Sequence, residues 1–171
     1  MKTALLVASL LLALPVLAQT VILNIENITP DSRYTVNNDG TVTDNETGLM
    51  WMQCSEGLAW ELSGGVGNCT GTATTHTWDA ASALANGKEF AGYSDWRLPD
   101  IKELASLVAG DRYGPAINST IFPATPSSNF WSGSPDASSS NSSLVVRFYY
   151  GGDRSDDRNN YSRIRLVRSA P

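Results

Sequence analysis

The strongest constraint on the fold lies near the C-terminus. Leu144, Val146, Phe148 and Tyr150 alternate with Val145, Arg147 and Tyr149. Successive side chains of a strand point to opposite faces, so this period of two predicts a strand. Ile164 and Leu166 alternate with Arg163 and Arg165 and predict another. The residues between, 151–162, hold no aliphatic side chain and read as the loop of a β-hairpin.

The run 149–163 contains only Tyr, Gly, Asp, Arg, Ser and Asn. An antibody paratope has a similar composition. There Tyr gives rigid contact area, Arg serves at hot spots, and Ser, Gly and Asn give adaptable hydrogen bonds. The same residues also form ordinary solvated turns. Two readings therefore stand: a recognition loop on a rigid scaffold, or a plain connection.

The rest of the chain predicts an α+β domain. Asp39-Gly40 between β-branched residues marks a hairpin joining 34–36 to 41–44. A turn at 45–48 leads to a core strand at 49–53, with Trp51 inward. Thr77 caps a short helix in which Trp78, Ala81 and Ala85 share a face, and Gly87 stops it. Asp100 and Glu103 form a capping box for a second helix. Its stripe is Ile101, Leu104 and Val108, and Gly110 ends it. Pro115, Pro123 and Pro126 then break the chain into loops. A strand resumes at 130–132, and the Ser/Asn tract 137–143 reads as an exposed turn.

The N-terminus reads as a secretory signal over residues 1–18. Lys2 supplies the charged region and 4–14 an apolar stretch too short to span a bilayer. The cut falls after Ala18, leaving Gln19 first. Residues 19–33 are a lead-in, and 34–171 form one domain. No later stretch is apolar enough to cross a membrane. Export to the periplasm, the cell surface or the medium suits the two cysteines. Cys54 and Cys69 lie on either side of a glycine-rich stretch and are expected to form a disulfide. Two thiolates and the single His76 are too few ligands for a structural zinc site.

The formal charge is −5, yet six of the twelve basic residues lie between Arg147 and Arg168. That end could attract an anionic glycan. It is too mixed, on too acidic a chain, for nucleic acid. No catalytic constellation is evident. His76, the sole imidazole, sits at a helix start, and no spacing selects a pair of carboxylates. Asp153, Asp156 and Asp157 could offer oxygens to Ca²⁺, but Arg154 and Arg158 oppose that. No metal or other cofactor is expected. In Asp95-Trp96-Arg97, Asp95 and Arg97 could pair and Trp96 could stack a sugar. The favoured reading is structural, with Trp96 in the core and Arg97 holding a loop by fork-like hydrogen bonds. Arg165 and Arg168 are expected to act similarly. The Asn-x-Ser/Thr triplets at Asn27, Asn45 and Asn118 receive no role.

Five motifs carry a family resemblance. They are 43–51 (TDNETGLMW), 90–104 (FAGYSDWRLPDIKEL), 121–123 (IFP), 130–132 (FWS) and 165–168 (RLVR). In order and spacing they resemble the exported bacterial domain family named for the C-terminal domain of Legionella collagen-like adhesins. The resemblance spans 34–168. It implies a C-type-lectin-like fold: a small twisted, mostly antiparallel sheet, two short helices and long loops near the C-terminus. It also implies adhesion, including to sulfated glycans. Some members are diversified by retroelements that randomise codons, enriching Asn, Ser, Asp, Gly, Tyr and Arg. The tract 138–143 and the run 149–163 look like such a region.

The candidate site is therefore the hairpin loop. Tyr149, Tyr150, Arg154, Arg158, Tyr161 and Arg163 are aromatic and cationic anchors. Asp153, Ser155, Asp156, Asp157, Asn159 and Asn160 set polar specificity, and Trp131 borders the site. The expected partner is a glycan, sulfated in the family's manner, or a protein of another cell. The alternatives are an enzyme on the same fold and a structural surface module.

Overall fold

A computed structural model describes residues 20–21 and 27–171. The expected signal peptide and part of the lead-in lie outside the described residues. In chain order the strands and helices are β1 (Thr20–Val21), β2 (Tyr34–Val36), β3 (Thr41–Asp44), β4 (Leu49–Met52), β5 (Leu58–Ser63), β6 (Val66–Gly71), α1 (Trp78–Asn86), α2 (Ile101–Ala105), β7 (Arg112–Tyr113), β8 (Asn129–Asp136), β9 (Ser139–Arg147), β10 (Gly152–Asp157) and β11 (Val167–Ser169). The architecture is the expected α+β one, mostly antiparallel, with two helices and the Cys54–Cys69 disulfide.

The strands do not form one sheet. A four-stranded sheet runs β11-β4-β3-β2 and a three-stranded sheet runs β10-β9-β8, while β5-β6 and β1-β7 are separate pairs. Every paired strand is antiparallel.

Two apolar clusters explain this layout. Trp51, Phe130, Val146 and Phe148 join Leu104 of α2 and Phe122 in one. Met50, Met52, Trp131 and Val145 join Ala81 and Ala85 of α1, Trp96 and Ile164 in the other. Strands β4, β8 and β9 thus bury both faces. Their local sequences, LMWM, FW and VV, are accordingly continuous apolar runs, as a strand covered on both sides requires. Trp51 is inward, as expected.

The helix signals hold at their starts. Thr77 accepts a hydrogen bond from the Ala80 amide, and Asp100 and Glu103 make the reciprocal capping box. The second helix ends at Ala105, not at Gly110. Beyond it the chain peels away so that the Ala109 amide can reach the Ala116 carbonyl, with Val108 bridging Ile117.

The glycine-rich stretch between the cysteines is a hairpin rather than a loop. Leu58, Trp60 and Leu62 alternate along β5, and Gly64 and Gly65 both take positive φ at its turn. A two-residue turn of this hand needs that conformation.

The C-terminal run also departs from expectation. It is not one loop. Phe148 to Gly151 form a tight turn closed by the Gly151 amide on the Arg147 carbonyl. Residues 152–157 then continue as β10 against β9, and the Ser/Asn tract 139–143 is strand on its partner. Alternating Ser and Asp have poor strand propensity, but pairing with the buried Val145–Val146 segment overrides it. The final strand is displaced too. Ile164 and Leu166 are buried, but regular pairing with β4 begins at Val167.

Candidate ligand-binding site

Cross-strand register sorts the run into two faces. Gly152 and Asn129 both lie opposite Arg147, Arg154 and Trp131 opposite Val145, and Asp156 opposite Ser143. Directly opposed residues share a face. One face therefore carries Arg147, Arg154, Asn129 and Asp156. Asp153, Ser155 and Asp157 lie opposite Val146, Leu144 and Ser142, and so belong to the other face. The predicted polar set is thus split by the pleat.

On the first face Asp156 is buried and organises its neighbours. Its Oδ2 accepts from Arg154 at 3.0 Å and from the Asn129 amide nitrogen at 3.4 Å, and its Oδ1 accepts from Asn160 at 2.8 Å. Arg158 is also occupied. Its guanidinium lies 4.1 Å from the Trp78 ring centroid, and its Nε donates to Ser143 Oγ. Arg163 donates to the Ala73 carbonyl, and its amide to the Asn129 carbonyl. Asp156, Arg158 and Arg163 hold the loop in place. Asn159 is exposed, with its side chain on Asp157 Oδ1.

The tyrosines are displayed. Tyr149, Tyr150 and Tyr161 are 58, 53 and 71 % exposed. Tyr149 and Tyr150 pack edge to face with centroids 5.9 Å apart, and the Arg147 guanidinium lies 4.5 Å over the Tyr150 ring. The turn that carries them is fastened to the body. The Gly114 amide donates to the Tyr149 carbonyl, the Ala116 amide to the Phe148 carbonyl, and the Phe148 amide to the Ser128 carbonyl. Tyr161 sits on the separate loop after β10, one residue before the His76–Ser162 bridge.

Trp131 is not exposed at this surface, although the register puts it on the same sheet face as Arg147 and Arg154. It is 0 % exposed, and its Nε1 donates to the His76 carbonyl. It faces the core because it sits opposite Val145 on a strand buried on both sides. Arg147 and Tyr113 were missed by sequence reasoning. In the sequence Arg147 reads as a strand residue, although an arginine directly before Phe-Tyr-Tyr is a usable signal. Tyr113, 41 % exposed, neighbours Gly114, which holds Tyr149.

The other arginines show what the motifs are for. Asp95 pairs with Arg168, not with Arg97, and Arg97 grips Glu103 through two bonds of 2.7 Å. The Arg97 bond holds the Glu103 carboxyl below its ordinary value near 4.5. Trp96 is buried, as expected. Arg165 is fully buried. It donates to Met52 and Gln53 carbonyls, to Ser55 and to Thr125, and burial pushes its pKa down to about 9. It therefore stays a charged donor at neutral pH. Among the described residues no group of three or more His, Cys, Asp or Glu is placed to hold a metal ion. No helix among them is long and apolar enough to cross a membrane.

No curated protein matches the chain. The family model of the Lcl C-terminal domain, named for the Legionella collagen-like protein, matches residues 40–168. That span runs from the first hairpin turn to the arginine that closes on Asp95, and so takes in all five motifs and the tyrosine-bearing turn: the chain belongs to the Lcl C-terminal domain family.

Proposed function

We propose that this domain is an exported binding module that presents Tyr149, Tyr150 and Tyr161, with Arg147, to a surface glycan. One observation carries the reading. Two adjacent tyrosines are more than half exposed, although three backbone hydrogen bonds fix the turn that bears them. Exposed aromatic area held rigidly loses little conformational entropy on binding, which favours recognition over a plain connection. Membership of an adhesin-domain family and the disulfide fit an exported, adhesin-like module.

The test is a triple substitution of Tyr149, Tyr150 and Tyr161 by Ala, applied with the wild type to a glycan array and to intact cells. Loss of binding with an unchanged melting temperature is the expected result. Retained binding by the triple variant ends the reading. Cell binding lost on protease treatment of the target cells would point instead to a protein partner.

Diversification belongs to the same reading. Tyr149, Tyr150, Asp153, Arg154, Ser155, Asp157, Asn159, Asn160 and Tyr161 are exposed, so their identities can change without disturbing the core. Sequencing the locus for a near-identical template repeat and a reverse transcriptase gene tests it. Absence of both removes it.

A further inference from the structure

Arg147 stands apart from the other arginines. Each of the other eight holds a carboxylate or a fixed oxygen among the described residues. Arg147 has no ion pair and no side-chain hydrogen bond among them, and its Nε is buried without a partner. A half-buried cation left in this state is costly, because burying a charge is repaid only by pairing or hydrogen bonding.

The surroundings keep it in place nonetheless. The Tyr150 ring covers one face of the guanidinium. Gly152 lies directly opposite, and a Cβ there would meet Tyr150 Cε2 at 3.1 Å and Arg147 Nη2 at 3.3 Å. The missing side chain lets the two groups sit this close without being pushed aside by a few tenths of an ångström. Arg154, on the same face, is already committed to Asp156.

We infer that Arg147 is the anion-recognising residue of this surface, and that its ligand group is the carboxylate of a uronic-acid sugar. This rests on the binding role proposed above. With one face covered, the guanidinium can be approached in its own plane, where its fork matches a planar carboxylate through two parallel bonds. A tetrahedral sulfate spreads its charge over three oxygens and is better served by several cations, whereas here one fork is free. A uronic acid carries its carboxylate on a pyranose ring. The ring's apolar face can then pack on Tyr149, set at 90° to Tyr150.

Titration calorimetry with trigalacturonate in physiological salt tests the inference. The expected result is measurable binding that falls roughly tenfold or more when the sugar carboxyls are methyl-esterified, as loss of a charge-assisted pair implies. Arg147→Gln should cause a similar fall without lowering the melting temperature, because the uncompensated charge it removes offsets the lost stack on Tyr150. Arg147→Lys, which keeps charge but not the fork, should recover only part of the affinity. Equal affinity for free and esterified sugar overturns the inference. So does full affinity in Arg147→Gln, tighter binding of dextran sulfate through Arg147, or no binding of trigalacturonate at all. In the last case the tyrosine variants on the array still judge the broader binding role separately.

Discussion

At the scale of single residues, arginine does much of the structural work. Arg165 has no acidic partner among the described residues, so four neutral oxygens solvate its charge in the core. Arg165→Met would strand the Met52 and Gln53 carbonyls. We expect a loss of about 3 kcal/mol or more in urea unfolding, because unsatisfied buried acceptors cost their full desolvation. Arg165→Lys should not rescue it, since one ammonium cannot span four acceptors. Gly152→Ala is the converse case. It should weaken ligand binding by displacing the Arg147–Tyr150 stack while leaving stability nearly intact. Matched melting and binding curves would check both halves. The structural roles of Arg97, Arg165 and Arg168 were legible in the sequence, because arginine beside loop motifs reads as a fork. Their partners were not. The Asp95–Arg168 pair joins residues that only the folded chain brings together.

At the scale of elements, caps and turns were the most legible features. The box at Asp100 and Glu103 forms as its spacing demands. Its ion pair with Arg97 has a pH signature. The Glu103 carboxyl is depressed in the folded state, so its contribution is fully present above its ordinary value near 4.5 and is lost as pH falls through the lower folded value. Glu103→Gln should lower the melting temperature at pH 7, and the difference from wild type should close as melts are repeated below pH 4. The β5–β6 hairpin was hidden by its glycines, although Leu58, Trp60 and Leu62 alternate before Gly64-Gly65. Its exposed tip, with Leu62 and Val66, places little apolar surface in the core. The Cys54–Cys69 disulfide fastens its base, and such a closure is worth about 3 kcal/mol in the chain-entropy model. In a Cys54→Ser/Cys69→Ser variant, amide exchange should accelerate first across 58–71. The amides of β4 and β9 should keep their protection.

At the scale of the whole molecule, the two-sided burial of β4, β8 and β9 separates scaffold from display. Core-strand residues at 49–53 and 130–132 and the alternation at 144–150 announced those strands, but composition could not reveal that 152–157 is also strand, because its pairing depends on β9 rather than on its own propensity. As a result the outer side of β10 pairs with no other strand among the described residues. A second copy docking there through a two-fold axis would have to centre on one residue, so that like faces stay together. Centring on Asp153, Arg154, Asp156 or Asp157 sets that charge against itself, and centring on Ser155 sets Asp153 against Asp157 twice. Most such registers thus set like charges together, which helps to blunt an otherwise open edge; the Ser155-centred one also sets Arg154 against Asp156 twice, and a Gly152-centred one opposes no like charges. Edge-to-edge approach is thereby disfavoured in most registers, which leaves the tyrosine-bearing turn clear of a neighbour's strand. Neutralising Asp153 and Asp157 to Asn should remove that protection and produce concentration-dependent dimers in sedimentation.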